Sequence, residues 1–397
     1  MNQLAPHLDG ALPLAAGASE RPLRIVHCFR APVGGLFRHV CDLAEIQKKK
    51  GHQVGIVCDS STGGDFEGTI LERIAPMLSL GIHRFPMRRE ISPADVAATW
   101  RATREIRALK PDVLHAHGAK GGAYARLIGT LLRATGSPVT RIYTPHGGSL
   151  QFDPKTNAGR VFFAFERILS SMTDAFIFVS QYEEDAFVAK IGRPRAPMTV
   201  ALNGLRAEEF VPVTPNADAR DFLFIGLMRP LKGPEEFIRA LAIVRDRTGR
   251  APTAWMVGGG DEKPVYEKMV RDLGLSEAVT FRAPMPPREA FALARVVVAP
   301  SRHESLPYLI LESIAAGMPT LTTRVGGLAE VFGPDADHLL PPNDAERLAD
   351  AMMQSLANPA DAAAVATRVR AYIRPRFSVE AMAATICRTY RQVVTAR

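Results

Sequence analysis

Hydrophobic positions along this chain fall into two alternating patterns. Short, nearly continuous apolar runs at Arg24 to Phe29, Val54 to Cys58, Val113 to His117, Arg141 to Thr144, Ala175 to Val179 and Met198 to Leu202 predict buried strands of a parallel sheet. Between them apolar residues recur at helical spacing, from about Leu36 to Lys50 with Gly51 closing the helix, through Ala123 to Arg133, and near Val161 to Met172. Ser92-Pro93 reads as the cap and first residue of a helix ending near Lys110. The rhythm restarts in the second half, with strands predicted at Phe222 to Leu227, Ala254 to Val257, Val279 to Arg282, Val296 to Ala299 and Thr320 to Thr323. A helix over Pro234 to Arg247 carries Glu235 and Glu236 in its first turn, as the macrodipole favours, and Ser378 caps a last helix reaching about Val394. Strands alternating with helices predict parallel sheets joined by crossover helices. At 397 residues the chain calls for two cores, and residues 206–220, with Pro212, Pro215 and Asn216, read as the linker. The predicted architecture is α/β, with two doubly wound Rossmann-like domains, residues 21–205 and 206–377, facing a cleft. Residues 1–20, rich in Ala, Leu, Pro and Gly and lacking a basic start, read as a disordered tail and not a signal peptide.

Charge sharpens this picture. The net charge is +8, but residues 1–205 hold 25 Lys and Arg against 18 Asp and Glu, and residues 206–397 hold 24 against 23. The excess clusters in Lys48 to Lys50, in Arg84, Arg88 and Arg89, and in Arg101, Arg104 and Arg107. No aromatic interleaving accompanies these cations, so nucleic acid is not the expected partner, and an anionic membrane surface or a phosphate-bearing acceptor fits better. No apolar run approaches the roughly 18 residues that span a bilayer. The four cysteines, Cys28, Cys41, Cys58 and Cys387, form no CxxC pair and read as buried reduced thiols. A cytoplasmic protein, peripheral on the inner face of the plasma membrane, is the expected setting.

The chemistry concentrates in Pro300 to Pro319. A predicted strand ends there in a loop holding Glu304, and a helix follows, carrying Glu312 and stopped by Gly317 and Pro319. A helix N-terminus fed by such a loop favours an anion, and two carboxylates suit the hydroxyls of a sugar or ribose. A diphosphate with a sugar at each end satisfies both.

Glu304 and Glu312, seven residues apart and followed by Ala-Ala-Gly-Met-Pro, resemble the E-x7-E motif of family-4 retaining glycosyltransferases. The resemblance extends from about Leu23 to Val394. It implies the two-domain GT-B fold, with the N-terminal domain binding the acceptor, the C-terminal domain the nucleotide sugar, and the last helix, within 378–397, crossing back onto the first domain. It also implies metal-independent transfer, with retained configuration, from a UDP- or GDP-sugar to a polyprenyl-linked or soluble saccharide, with no cofactor.

Further constellations fit that reading. Gly226-Leu-Met-Arg-Pro-Leu-Lys-Gly233 places Arg229 and Lys232 in one loop after a strand, where two cations offset the charge of a departing nucleoside diphosphate. The family's arginine usually follows the first glycine directly, where this chain has Leu227. Gly34-Gly35 stands between a strand and a helix and lacks the dinucleotide GxGxxG pattern, and the resemblance assigns it to donor phosphate or acceptor. Gly258, Gly259 and Gly260 end a strand where a nucleotide can approach, and Gly326-Gly327 with Glu330 matches the family's second-domain pattern. Where the family often has Gly-Phe-Gly after the first glutamate, this chain has Ser305-Leu306-Pro307, whose remaining N–H groups at Ser305 and Leu306 can still bind phosphate. His115 and His117 end one strand and His146 follows the next. No carboxylate or cysteine nearby completes a metal pair, so no metal is expected, and Tyr143 to Gly148 resembles the segment whose histidine touches the donor sugar. His146 therefore ranks ahead of His117, and His117 ahead of His115. The expected roles are Lys232 and Arg229 at the leaving diphosphate, Glu304 at the donor sugar and Glu312 at the ribose. The alternatives are a nucleotide-sugar epimerase of the same fold and a non-catalytic nucleotide-sugar-binding module.

Overall fold

The computed structural model describes residues 21–87 and 94–396, so the expected tail, the Ser92-Pro93 helix start and Arg88 and Arg89 lie outside the described residues. The N-terminal half runs β1 (Arg24–Phe29), α1 (Gly34–Lys49), β2 (Gln53–Asp59), α2 (Asp65–Ile74), β3 (Ile82–Phe85) and α3 (Ala94–Ala108). It continues through β4 (Val113–His117), α4 (Ala119–Ala134), β5 (Thr140–Thr144), α5 (Asn157–Ser170), β6 (Ala175–Phe178), α6 (Gln181–Lys190) and β7 (Met198–Val200). The C-terminal half contains β8 (Arg220–Ile225), α7 (Pro234–Thr248), β9 (Ala254–Val257), α8 (Lys263–Asp272), β10 (Val279–Arg282) and α9 (Pro287–Phe291). It then has β11 (Ala294–Ala299), α10 (Tyr308–Ala315), β12 (Thr320–Thr322), α11 (Leu328–Phe332), α12 (Ala345–Ala357), α13 (Pro359–Ile373) and α14 (Val379–Thr395).

The apolar runs become two parallel sheets. Seven strands pair in the order β3-β2-β1-β4-β5-β6-β7, and five in the order β10-β9-β8-β11-β12. In each sheet the chain starts near the middle and winds outward both ways, so a strand-order switch lies beside β1 in one and β8 in the other. Loops leaving the carboxyl ends of strands at such a switch form the ligand crevice of an open α/β sheet. The α4 helix starts at Ala119 and α5 at Asn157, each four residues before the expected start, and β7 ends at Val200 and not Leu202. The 206–220 segment is not a loose linker, since it contains a 3-10 turn (Ala207–Phe210) that docks on α1 through Glu209. All four cysteines are free thiols, three of them buried.

The last helix has a legible start and a distant destination. Ser378 Oγ accepts the Ala381 N–H at 3.1 Å, capping α14. Its Val379, Met382, Ala383, Ile386 and Tyr390 then pack on Leu23, Ile25, Val113, Ile142, Ala175 and Ile177 of the first sheet. Fully burying one aliphatic or aromatic side chain contributes about 1.5–3 kcal/mol. Four of them, with Ala383 packed between, tie α14 to the N-terminal domain.

Candidate active site

Two loops of the second domain are pressed together where they leave their strands. Gly233 ends the β8–α7 loop at φ +72, and a Cβ there would stand 2.0 Å from the Pro300 carbonyl oxygen, so this position admits glycine alone. The contact carries Lys232 onto the β11–α10 loop, where its Nζ lies 2.6 Å from Glu304 Oε1. Ser301 Oγ donates to the same carboxylate oxygen at 2.7 Å. Arg302 fastens the loop from below, donating to Glu236 at 2.8 Å and Glu235 at 3.0 Å, so the acidic first turn of α7 holds this loop as well as complementing its own dipole. Beyond the loop, α10 begins at Tyr308 with Pro307 as its cap residue. The loop that carries Glu304 therefore feeds the N-terminus of α10, whose first-turn N–H groups have no partner within the helix.

The same loop reaches across to the first domain. Ser305 Oγ donates to Glu183 Oε1 at 2.9 Å, and the Gly147 N–H donates to that oxygen at 2.5 Å. The Val179 N–H donates to Glu183 Oε2 at 2.9 Å. Burial raises the Glu183 carboxyl above its ordinary value, against the hydrogen bonds that favour its charge. Residue 183 thus joins the turn carrying His146 to the loop carrying Glu304. Ser180-x-x-Glu183 is visible in the sequence as a capping pattern, and Ser180 does cap α6, but nothing in the pattern shows the reach to Ser305. His146 itself stands at φ +50, a left-handed conformation uncommon for a side-chain-bearing residue.

Several expected site residues have other partners. The Glu312 carboxylate pairs with Arg38 on α1, which also donates to Glu209 at 2.6 and 2.7 Å and lies 4.5 Å above the Tyr308 ring. A ribose role for Glu312 would require that pair to open. Glu330 accepts the N–H groups of Gln181 at 3.0 Å and Tyr182 at 2.8 Å, so it covers the N-terminus of α6 from the other domain. The Leu306 side chain is buried in the core, and its carbonyl accepts from Asn203 at 2.7 Å. Gly258 packs against Gly226, whose carbonyl would lie 1.9 Å from an added Cβ, whereas Gly259 meets only Pro284 at 3.6 Å and leaves room for a ligand. Gly35 lies against Tyr308 at the domain junction, and Gly34 has open space around it. Arg229 is exposed and makes no ion pair among the described residues. The arrangement therefore gathers Lys232, Glu304, Ser305 and the His146–Gly147 turn, and leaves Arg229 and Glu312 outside that immediate contact.

The histidines form a cluster that reaches well past the predicted pair. His27 Nδ1 meets His117 Nε2 at 3.0 Å, and His117 Nδ1 meets His146 Nε2 at 3.0 Å. His115 lies between Tyr390 at 2.5 Å and Thr144 at 2.8 Å, and His39 meets Asn203 at 3.0 Å. Burial pushes His27 and His39 down to about 4, and holds His115, His117 and His146 well below the ordinary imidazole value. All five are neutral at pH 7. Along the sequence no carboxylate or cysteine near His115 and His117 completes a metal pair. The fold supplies other histidines, grouping His27 with His115 and His117, and His39 with His117 and His146.

Two parallel Rossmann-like sheets, with loops of one domain meeting the other, form the GT-B fold. The family described as "Glycosyl transferase 4-like domain" matches residues 34–204, and "Glycosyl transferases group 1" matches residues 206–372. The chain belongs to the family-4 glycosyltransferases of the GT-B fold. It is 32% identical over 223 residues to a D-inositol 3-phosphate glycosyltransferase of Corynebacterium urealyticum, covering 51% of this chain and 52% of that one. It is 26% identical over 380 residues to a glycogen synthase of Mycobacterium tuberculosis, covering 90% and 91%. The chain thus spans about half the length of the first of these relatives. Among solved structures, sucrose-phosphate synthase from Thermosynechococcus elongatus superposes with a TM-score of 0.76 at 21% identity, over 94% of this chain and 99% of that one. HepE of Anabaena, solved with UDP and glucose, also gives 0.76, at 18% identity over 92% and 99%. Glycosyltransferase, and not epimerase or binding module, is the class these matches support.

Proposed function

We propose that this glycosyltransferase moves a sugar from a UDP- or GDP-sugar to a lipid-linked saccharide, with retained configuration and without a metal. The observation that carries the donor reading is the Lys232–Glu304 pair at 2.6 Å, in the loop that feeds the N-terminus of α10. A cation and a helix N-terminus together offset the charge of a leaving diphosphate, while the carboxylate orients sugar hydroxyls. That HepE, a structural neighbour, binds UDP and glucose supports a nucleotide-sugar donor. Retention rests on the resemblance to family-4 enzymes.

A membrane-bound acceptor is supported by one face of the first domain. Helices α3, α4 and α5 pack side by side, and they expose Trp100, Leu127, Leu131, Val161, Phe165 and Ile168. Arg101, Arg104 and Arg160 are exposed on the same helices. Apolar and aromatic residues amid cations are what an interfacial helix presents to an anionic bilayer. Two of the other expected basic groups are partly engaged: Arg84 donates to the carbonyls of Asp59 and Thr62, and Lys49 pairs with Glu45. Among the described residues no helix is long and apolar enough to cross a membrane.

Labelled UDP- and GDP-sugars, incubated with and without a polyprenyl-linked saccharide, test the proposal. Acceptor-dependent release of the diphosphate supports it, and an isomerised sugar or binding alone refutes it. Sedimentation with anionic liposomes decides the acceptor's setting. Wild type should pellet and Phe165→Ser/Ile168→Ser should not. Equal recovery in the supernatant favours a soluble saccharide, the reading that the glycogen synthase likeness suggests.

A further inference from the structure

The His39–His117–His146 group contains a lone pair with nothing to accept. Asn203 Nδ2 donates to the Leu306 carbonyl at 2.7 Å, which turns its Oδ1 toward His39 Nδ1 at 3.0 Å. An amide oxygen accepts only, so His39 carries its proton on Nδ1 and its Nε2 is bare. That Nε2 is buried and has no hydrogen-bond partner among the described residues. Gln47 Nε2 points to the Tyr390 hydroxyl at 3.5 Å, which leaves its Oε1 to accept from His27 Nε2 at 2.8 Å; in that arrangement His27 Nδ1 accepts from His117 Nε2, and His117 Nδ1 carries no proton. His146 presents its Nε2 to that atom at 3.0 Å.

Two imidazole lone pairs, each oriented by a partner on the opposite ring nitrogen, and a third nitrogen beside them are what a metal ion needs from its ligands. We propose that His39, His117 and His146 form a three-histidine site for a divalent transition-metal ion of the zinc class. One ring nitrogen from each of the three lies within 4.8 Å of the other two. At about 2.0–2.1 Å per bond, the nitrogens of a tetrahedral site stand roughly 3.4 Å apart, so closing the group takes a shift on the order of an ångström. Binding exchanges the His117–His146 hydrogen bond for two metal bonds, moves the His146 proton to Nδ1, and gives His39 Nε2 its missing partner. The neighbouring group of His27, His115 and His117 lacks this feature. Both nitrogens of His115 already face hydroxyls, at 2.5 and 2.8 Å, and both of His27 are bonded.

His39 comes from α1, His117 from the end of β4 and His146 from the turn after β5, while Asn203 belongs to the junction between the domains. The site shares the His146 turn with the cluster around Lys232 and Glu304, while His39 and His117 lie outside that cluster, and filling it is compatible with transfer that needs no metal at the diphosphate.

The test uses the full chain, stripped with EDTA and dialysed, then titrated with Co²⁺ while its visible d–d absorption is followed. The expected result is saturation at one ion per chain, with an intense band of low coordination number that Zn²⁺ abolishes by competition. His39→Gln should lose the band. Asn203→Ala keeps all three ligands, removes the group that orients His39 together with its hydrogen bond to the Leu306 carbonyl, and should bind about 10–100-fold more weakly. A wild-type protein with no such band overturns the proposal. So does a band unchanged in both variants, which would place the ion on other histidines or thiols. Should His39→Gln fail to fold by circular dichroism, the wild-type and Asn203→Ala titrations decide alone.

Discussion

Replacing Lys232 with alanine gives the sharpest test of the proposed donor chemistry. Its ammonium stands 2.6 Å from Glu304, and the two side chains are only 25% and 11% exposed, so water replaces the lost charge poorly. Losing one preorganised group that stabilises developing negative charge costs about 10²–10³ in kcat, or roughly 2.7–4 kcal/mol. The substitution also releases Glu304, which keeps Ser301 at 2.7 Å as its remaining partner. A fall in rate could therefore reflect a misplaced carboxylate. Glu304→Gln, alone and combined with Lys232→Ala, separates the two effects through a double-mutant cycle. If Lys232 acts on the leaving diphosphate, removing the Glu304 charge will not restore the rate of the Lys232→Ala enzyme. If it serves only to hold Glu304, the double variant will be no slower than Glu304→Gln. The assay is steady-state diphosphate release at saturating donor, with kcat read apart from KM. Unchanged kcat in Lys232→Ala would refute the leaving-group role.

If Lys232 and the α10 N-terminus supply the countercharge, transfer should persist in EDTA; activity lost in EDTA and restored by Mg²⁺ or Mn²⁺ would contradict this. Glu330→Ala should remove the acceptor for two α6 N–H groups and cost about 1 kcal/mol, as loss of a helix cap does, seen as a lower denaturation midpoint with an unchanged slope. A midpoint equal to wild type would show that water caps α6 as well. Glu166→Ala should destabilise far more, about 3–5 kcal/mol, because Arg126 is fully buried and would lose the carboxylate 2.6 Å away. A loss below 1 kcal/mol would mean that the Tyr143 ring, 3.8 Å from the guanidinium, suffices to hold it.

Strands in the middle of each sheet were legible because their residues are buried on both faces and form continuous apolar runs. The edge strand β3 was not, since Ile-His-Arg-Phe is only partly covered and breaks any run with His83 and Arg84. Helix α6 was missed for a related reason: Gln-Tyr-Glu-Glu-Asp-Ala-Phe-Val-Ala-Lys offers no apolar stripe at helical spacing, and only Glu183 and Phe187 are buried. In the site, Glu304 and Lys232 were found through their loops, which are local features. Their partners were not local. Ser305 meets a glutamate 122 positions earlier, and His39 meets an asparagine 164 positions later. Spacing along the chain carries no sign of such contacts. His27 and His39 stayed invisible because each looks like an isolated polar residue in an apolar pattern, and only the pairing of β1 with β4 sets His27 opposite His115.

The pairing of Glu312 with Arg38 leaves one expected role to be decided, and the domain junction shows how to decide it. Apart from α14, much of what joins the two halves is polar: Ser305 to Glu183, Asn203 to Leu306, Glu330 to α6, and Arg38 to Glu312. Such a contact contributes a net of about 0.5–1.5 kcal/mol between neutral groups and about 1.5–3 kcal/mol where one is charged, because water replaces the partner on opening. A junction held this way can open for substrate while α14 keeps the halves together. A donor whose ribose engages Glu312 must first displace Arg38, so part of its binding energy is spent on breaking that pair. Arg38→Gln removes the competitor. If Glu312 receives the ribose, the variant will bind donor more tightly and KM will fall, even though Glu209 loses the partner that held it at 2.6 Å and stability drops. If Glu312 serves only the junction, KM will stay level or rise while stability drops to the same extent. Tighter donor binding in a less stable protein is the combination that a purely structural Glu312 cannot produce.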